Sequence, residues 1–118
     1  MDRVLIIDDS RISRVRLRKL LEAARACDIV EAGTAGEGSE HAAEPWDMVF
    51  CDLLLPDRDD GFNFVLELQG QLPTGTPLVV YSANAMPDVK AQADAAGCAG
   101  YLEKPVQPGS LHELLESL

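Results

Sequence analysis

Residues 4–9 read VLIIDD, four consecutive apolar side chains followed by two carboxylates. An uninterrupted apolar run of this kind suits a strand that is buried on both faces, as in a parallel sheet. Three later segments repeat the layout with other polar endings: MVFCD at 48–52, PLVVYS at 77–82 and GYLEKP at 100–105. Because the carboxyl ends of parallel strands share one edge, the sequence predicts that these polar endings meet. They are Asp8, Asp9, Asp52, Ser82 and Lys104.

Short apolar runs alternate with longer amphipathic segments along the whole chain, which is typical of β-α-β units and a parallel sheet. Strands are expected near residues 3–8, 28–32, 47–52, 78–82 and 99–103. Helices are expected near residues 11–26, 35–43, 62–70, 86–96 and 109–117. This strict alternation predicts a flavodoxin-like, doubly wound α/β fold with five parallel strands in the order 2-1-3-4-5 and five helices. At 118 residues, the chain is expected to form one domain over residues 1–118.

Local signals mark the helix ends. Ser10 is a candidate N-cap for the first helix, Gly97 stands where a C′ glycine would end the fourth, and Pro108 stands where a proline would open the fifth. The second helix contains glycines at 36 and 38, which lower its intrinsic propensity. An apolar stripe of the first helix is expected to face the sheet, and it consists of Ile12, Val15, Leu20, Leu21 and Ala24.

Composition excludes several classes of protein. The chain is 47% apolar and 25% charged, which is typical of globular domains, and no apolar run approaches the ~20 residues of a membrane span. The amino terminus lacks the layout of an export signal, because its apolar run ends in carboxylates. The three cysteines are odd in number and widely spaced, which indicates core residues of a reduced, cytoplasmic protein rather than disulfides or a zinc site.

Charge is distributed unevenly along the chain. The net charge of −10 argues against direct binding of nucleic acid. Six of the ten basic residues nevertheless lie between residues 11 and 25. Such a run is either the solvated face of the first helix or a docking surface for an acidic partner.

The residues at the predicted edge suit metal and phosphoryl chemistry. The adjacent carboxylates of Asp8 and Asp9 repel each other, and a Mg²⁺ ion relieves this repulsion because it binds carboxylates together with waters and phosphate oxygens. Asp52, at the end of the central strand, is placed to attack phosphorus and form an acyl phosphate. The Ser82 hydroxyl and the Lys104 ammonium could bind phosphoryl oxygens. Each residue alone also fits a simpler interpretation, as a helix cap or the end of a strand.

In this order, the segments IIDDS, CDLLLP, VVYSA and GYLEKP resemble the receiver domain of two-component response regulators, in the chemotaxis-regulator-like superfamily, over the whole chain. The resemblance implies that Asp52 is the phosphoacceptor and becomes 4-aspartylphosphate. It implies a Mg²⁺ cofactor, with Mn²⁺ as the alternative ion, bound directly by Asp9, Asp52 and the backbone carbonyl of Leu54, while Asp8 acts through water. It also implies that three groups hold the phosphoryl oxygens: Ser82 Oγ, the Ala83 backbone amide and Lys104.

The resemblance further implies a switch and partners. Tyr101 matches the aromatic residue that turns inward when the Ser82 hydroxyl is drawn to the phosphate, and Pro105 would follow a cis peptide bond. Phosphorylation would then alter the surface of helix 4, strand 5 and helix 5, which a downstream effector domain or protein reads. The phosphoryl donor would be a sensor histidine kinase or a histidine phosphotransfer protein, docked at basic residues of the first helix: Arg11, Arg14 and Arg18.

Two features depart from the family pattern. Pro56 and Gly61 are five residues apart, where receivers have four, and the loop carries three acids: Asp57, Asp59 and Asp60. The extra residue could shift the loop and change which groups meet the metal. The segment AGYLEKPV also lacks the Asp-Asp-Tyr of winged-helix regulators, so their dimer salt bridges are not expected. A homodimer formed on phosphorylation stays an open alternative.

Three functions compete at this point. The first is a phospho-switch, not an enzyme, with only weak self-catalysed phosphorylation and dephosphorylation. The second is a degenerate receiver that acts as a docking module without phosphorylation. The third is a haloacid-dehalogenase-like phosphatase, whose acidic motifs come in the reverse order. In receivers, two side chains border the approach of the hydrolytic water, and here they are Leu54 and Asn84, which predicts slow loss of the phosphoryl group.

Overall fold

The computed structural model describes residues 1–58, 60–83 and 87–118, so that Asp59 and Asn84 lie outside the described residues. The strands are β1 (Asp2–Ile7), β2 (Cys27–Ala32), β3 (Met48–Asp52), β4 (Leu78–Ser82) and β5 (Gly100–Glu103). The helices are α1 (Arg11–Ala24), α2 (Ala35–His41), α3 (Gly61–Gln71), α4 (Pro87–Ala95) and α5 (Pro108–Ser117). Every predicted element is present, with ends within two residues of the prediction.

The five strands form one parallel sheet in the order β2-β1-β3-β4-β5, which confirms the predicted flavodoxin-like α/β fold. All residues of β3 and β4 are buried, as their continuous apolar runs require. Alternate strand residues point to opposite faces and divide between two hydrophobic clusters. Helices α2 and α3 cover the cluster that contains Leu5 and Val49. Helices α1 and α5 cover the cluster that contains Ile6 and Phe50.

Helix α1 is rotated relative to the predicted stripe, so that only part of this stripe faces the sheet: Leu21 is buried and Leu20 packs against the core, as predicted. Ser10 caps the helix as expected, because its hydroxyl accepts a hydrogen bond from an amide of the first turn. The buried residues of the helix are Leu17 and Leu21. Ile12, by contrast, is 84% exposed, and Ala24 is exposed as well. The prediction that these two side chains face inward is therefore wrong.

Polar contacts at the edge of the sheet accompany this rotation of α1. Arg14 Nε and Arg18 NH1 lie 3.0 and 2.9 Å from the two carboxylate oxygens of Glu31 on β2. Arg14 also donates a hydrogen bond to the backbone carbonyl of Asp8 at 2.6 Å. Both arginines thus belong to the side of the helix that meets β2. A hydropathy pattern cannot reveal such contacts, which is why the predicted stripe is displaced.

Helix α2 forms in spite of its glycines because its start is capped and its packing needs a small residue. The Thr34 hydroxyl accepts from the Glu37 amide at 3.1 Å, and the Glu37 carboxylate accepts from the Gly33 amide at 3.1 Å, close to a capping box. A Cβ atom on Gly38 would lie 2.6 Å from Ile7 Cδ1. Glycine at this position therefore lets α2 approach β1 closely.

The remaining local signals also appear where the sequence predicts them. Gly97 follows α4 with a φ of +80°, and Pro108 opens α5. The cysteines are free thiols, and burial raises the pKa of Cys98 to about 11, so this thiol stays protonated. In the part of the chain that the structure describes, no helix has both the length and the apolar character that crossing a membrane requires.

Candidate functional site at the carboxyl edge of the sheet

Polar side chains end four of the five strands at the same edge. Asp52 and Ser82 are the last residues of β3 and β4, and Asp8 and Lys104 directly follow β1 and β5. Because β1, β3, β4 and β5 are successive neighbours in the sheet, these four residues lie side by side. The pairing extends beyond β5, since the Lys104 amide donates to the Ser82 carbonyl at 2.9 Å. The structure thus brings together the residues that the strand endings mark.

Three carboxylates of this edge converge. Asp8, Asp9 and Asp52 each offer one oxygen, and these oxygens lie within 4.8 Å of one another. Asp8 and Asp52 are buried, whereas Asp9 is exposed. Oxygen donors from several carboxylates are the donor set that Mg²⁺ prefers, and the exposed Asp9 leaves an approach from solvent. The residues present therefore fit a hard divalent cation.

Lys104 bridges two of these carboxylates. Its Nζ atom lies 2.8 Å from Asp8 Oδ2 and 3.0 Å from Asp52 Oδ2. The peptide bond between Lys104 and Pro105 is cis, as the resemblance implies. One ammonium group is thus shared by two buried carboxylates, one that follows β1 and one that ends β3.

The two buried carboxylates titrate differently because their donors differ. Burial raises the pKa of Asp8, but hydrogen bonds from Lys104, the Ser10 amide and Tyr81 together lower it below its ordinary value. Burial also raises the pKa of Asp52, and here Lys104 and the Leu54 amide offset only part of the effect. Asp8 therefore holds its negative charge more firmly than Asp52 does.

A tyrosine that sequence reasoning missed completes the pocket. Tyr81, on β4, is 1% exposed, and its hydroxyl donates to Asp8 Oδ2 at 2.7 Å. Lys104 Nζ lies 4.6 Å from the centre of the same ring. The available signal was the hydroxyl itself, because a tyrosine inside an apolar run needs a polar partner when it is buried. Its position immediately before Ser82 places that partner at the carboxyl edge.

The predicted phosphate-binding and switch residues lie on β4 and β5, beside the carboxylates. Ser82 is 1% exposed. Ala83 is exposed and lines, together with Lys104, a cavity of about 300 Å³ between α1 and the segment that follows β5. The Tyr101 hydroxyl is buried. Burial raises the pKa of Tyr101, and the Ser82 side chain lowers it by a smaller amount. Ser82 and Tyr101 thus lie on the neighbouring strands β4 and β5.

Local contacts hold both ends of the loop that follows Asp52. The Leu54 amide donates to Asp52 Oδ1 at 3.2 Å, while the Leu54 side chain is 69% exposed. At the other end, Asp60 caps α3, and a Cβ atom on Gly61 would lie 2.0 Å from the Leu53 carbonyl oxygen. Only glycine allows so close an approach. The backbone that follows Asp52 is therefore held at both ends of the loop.

Within this loop, Asp57 contacts another helix. Its carboxylate accepts hydrogen bonds from the Ala35 and Gly36 amides, at 2.9 and 3.0 Å. These bonds satisfy free amides at the start of α2 and lower the pKa of Asp57. One of the acids that mark the insertion is thus a cap for α2, which sequence reasoning did not predict.

Comparisons with known proteins agree with this geometry. A family model described as the response regulator receiver domain matches residues 4–116. The chain is 34% identical to the two-component response regulator ORR41 of Oryza sativa subsp. japonica, over 98% of this chain and 92% of that protein. It is 36% identical to protein-glutamate methylesterase/protein-glutamine glutaminase 6 of Anaeromyxobacter dehalogenans, over 97% of this chain but 33% of that protein. The chain thus spans about a third of the length of this methylesterase.

A solved structure agrees as well. The chemotaxis response regulator CheY4 of Vibrio cholerae superimposes with a TM-score of 0.85 at 28% identity, over 100% of this chain and 99% of the other. This neighbour supports the fold described above, and the family match and the rice relative identify the family. The chain belongs to the receiver domain family of two-component response regulators.

Proposed function

We propose that this chain, over residues 1–118, is a cytoplasmic phosphoacceptor switch in which Asp52 receives a phosphoryl group. The observation that supports the proposal best is the position of Lys104 Nζ, 2.8 Å from Asp8 and 3.0 Å from Asp52. A cation held between the acidic pair and the acceptor is within reach of an oxygen on phosphorylated Asp52. In this proposal the chain is the substrate of the phosphorylation and assists the reaction at its own Asp52, and it is not an enzyme that acts on other substrates.

The reaction is a displacement at phosphorus. A carboxylate oxygen of Asp52 forms the new O–P bond while the P–N bond of a phosphohistidine breaks, and the departing imidazole nitrogen takes a proton from water. The product is an acyl phosphate, which is labile and therefore suits a signal that decays. Ser82 Oγ, the Ala83 amide and Lys104 hold the phosphoryl oxygens, so that negative charge is met by donors on two sides.

Mg²⁺ is the cofactor that this donor set fits, with Mn²⁺ as the alternative. Asp9, Asp52 and the Leu54 carbonyl would hold it directly, and Asp8 through water. When bound, the ion neutralises carboxylate charge and draws charge from the phosphoryl oxygens. The three converging carboxylate oxygens support this assignment.

The phosphoryl donor is a histidine kinase or a histidine phosphotransfer protein that docks on the outer face of α1. This face combines exposed positive charge with apolar side chains around a groove of about 590 Å³, and its members include Arg11, Ile12, Val15 and Lys19. The predicted docking residues Arg14 and Arg18 are engaged with Glu31 instead. We therefore assign docking to Arg11 and Lys19 and a structural role to Arg14 and Arg18.

Ser82 and Tyr101 transmit the change at Asp52 to the surface of the domain. When the Ser82 hydroxyl turns to the phosphoryl group, the Tyr101 ring takes the inward position, and the surface formed by α4, β5 and α5 changes. Lys90 on α4 lies 5.7 Å from the centre of the Tyr101 ring, so a movement of the ring alters the surroundings of α4. An effector domain or protein then reads this surface.

A small phosphoryl donor tests the proposal without a partner protein. Incubation with acetyl phosphate in Mg²⁺ should add one phosphoryl group, measured by intact mass, and chelation of the metal should prevent it. Asp52→Asn should stay unmodified with its fold intact, because an amide is not a nucleophile here. No incorporation in the parent would indicate a docking module, and rapid release of phosphate with no phosphorylated chain accumulating would indicate a phosphatase. Either result would contradict the proposal.

A further inference from the structure

We propose that Tyr81 is a positioning residue of the divalent-cation site: its hydroxyl holds the Asp8 carboxylate in place for the ion. The inference rests on the proposed function, since it takes Asp8 to serve a metal ion and Lys104 to serve the phosphoryl group. It concerns a residue that lies outside the strand endings and that the sequence pattern gives no role.

The Tyr81 ring cannot easily move. It is 1% exposed and belongs to the hydrophobic cluster under α1 and α5. Its edge-to-face contact with Phe50 has a centroid distance of 6.4 Å and an interplanar angle of 87°. A close-packed ring of this kind fixes the position of its hydroxyl. The oxygen to which that hydroxyl donates, Asp8 Oδ2 at 2.7 Å, is therefore held from the core.

Asp8 needs such a donor because it has no contact with solvent. Its exposed fraction is 0%, and a buried carboxylate is costly unless hydrogen bonds compensate it. Oδ1 accepts from the Ser10 amide at 2.9 Å, and Oδ2 accepts from Lys104 Nζ at 2.8 Å as well as from Tyr81. Two of the three donors thus act on the same oxygen.

The two donors of Oδ2 differ in what else they bind. Lys104 is shared, since it also contacts Asp52 at 3.0 Å, and it is the group that would turn to the phosphoryl oxygens. A hydroxyl carries one hydrogen, and that of Tyr81 is given to Asp8. Tyr81 is therefore the dedicated donor, which keeps the orientation of Asp8 constant while Lys104 changes partners.

Tyr81→Phe tests the inference because it keeps the ring and removes only the hydroxyl. Titration calorimetry of the full chain with Mg²⁺ should show a dissociation constant about tenfold higher than that of the parent, a loss typical of residues that hydrogen-bond to the groups around a metal ion. With acetyl phosphate, the Mg²⁺ concentration for half-maximal phosphorylation should rise by the same factor. The rate at saturating Mg²⁺ should stay within twofold, because the acceptor and Lys104 are unchanged.

Leu21→Ala is the matched control, since it disturbs the same hydrophobic cluster from the end of α1 that lies away from Asp8. It should lower the urea midpoint of unfolding but leave the Mg²⁺ dissociation constant within twofold. Equal weakening by both variants would overturn the inference, because core damage would explain it. If the parent binds Mg²⁺ and Tyr81→Phe binds it with the same dissociation constant, the inference is overturned but the proposed function stays intact. A parent that binds no Mg²⁺ would overturn both.

Discussion

The floor and the rim of the carboxyl edge are fixed by different parts of the molecule. We call the floor the buried residues Asp8, Asp52 and Ser82, and the rim the exposed residues Ile12, Leu54 and Asp57. Each floor residue is at most 4% exposed and ends or follows a buried strand, whereas Ile12 and Leu54 are 84% and 69% exposed. The floor is thus fixed by the core of the sheet. The rim depends on the rotation of α1 and on the length of one loop.

We expect the floor to determine whether the phosphoryl reaction occurs and the rim to determine how fast it proceeds. The floor holds the carboxylates and the hydroxyl that any phosphoryl acceptor of this kind needs, so we expect changes there to remove the reaction. In the proposed function, the donor protein and the hydrolytic water approach across the rim, so we expect changes there to alter rates while the reaction survives. Each prediction below tests one side of this division.

The largest effect is expected at Asp9, where the floor meets the rim. Asp9→Asn should weaken Mg²⁺ binding by roughly 10- to 100-fold, because a proposed direct ligand loses its charge. Without metal, the same variant should melt at a higher temperature than the parent, since one of three converging like charges is gone. Calorimetry and thermal melts in chelator measure both effects.

Asp94→Asn provides the control for this prediction. It removes the same charge from an exposed position on α4, outside the carboxylate cluster. It should leave both the Mg²⁺ affinity and the melting temperature close to those of the parent. If Asp9→Asn melts at or below the parent temperature in chelator, the acidic pocket is not strained by charge.

The next effect concerns the two sides of α1. Reversing Arg11 and Lys19 to Glu should slow transfer from a phosphorylated histidine phosphotransfer domain about tenfold, because exposed charges at an interface control association. Phosphorylation by acetyl phosphate should not change. Stopped-flow or gel-based transfer assays with the two donors measure this ratio.

The opposite side of the helix gives the contrast. Reversing Arg14 and Arg18 to Glu should slow phosphorylation by both donors, because Glu31 loses its partners and the Asp8 carbonyl loses a hydrogen bond. This variant could instead lose only the transfer from the protein donor, while the Arg11 and Lys19 reversal has no effect. That result would show that the donor docks on the side of α1 that meets β2.

A smaller effect is expected on the lifetime of the phosphoryl group. Leu54 cannot orient a water molecule, so we expect the phosphorylated parent to persist for minutes or longer. Leu54→Asn combined with Asn84→Glu should lower the barrier to hydrolysis by about 1 kcal/mol, which is roughly fivefold in rate. Decay of the phosphorylated mass in Mg²⁺ gives the rate. Leu66→Asn, an exposed leucine of α3, is the control and should not alter it. A parent half-life of seconds, unchanged by the double substitution, would contradict the expectation.

The floor could be predicted from the sequence because the ends of buried strands are a property of the fold. Asp8, Asp52 and Ser82 each close an apolar run, and a parallel sheet brings such ends together whatever the loops do. Tyr81 was not predicted, because an apolar pattern counts its ring as a core residue and takes no account of its hydroxyl. The general lesson is that a polar atom inside a strand pattern should be matched to a partner.

The rim could not be predicted, because it depends on contacts between residues distant in sequence. The rotation of α1 accompanies the ion pairs of Arg14 and Arg18 with Glu31, which hydropathy does not register. The extra residue in the loop after Asp52 gave no sign of a contact with α2. In the structure, Asp57 of this loop contacts the start of α2, 21 to 22 residues earlier in the chain.

The smallest effect is expected at Asp57, and it concerns stability rather than chemistry. Asp57→Ala should lower the urea midpoint of unfolding slightly at pH 7, because the Ala35 and Gly36 amides lose an ionised acceptor. These bonds hold the pKa of Asp57 below its ordinary value in the folded chain. The stabilisation is therefore complete above the unfolded pKa of about 3.9 and is lost as the pH falls through the lower folded pKa. The gap between parent and variant should stay constant from pH 7 to 5 and narrow only below about pH 4. Asp57→Asn keeps one acceptor oxygen, so its urea midpoint should lie between those of the parent and Asp57→Ala. A gap that widens on acidification would show that the carboxylate is not what caps α2.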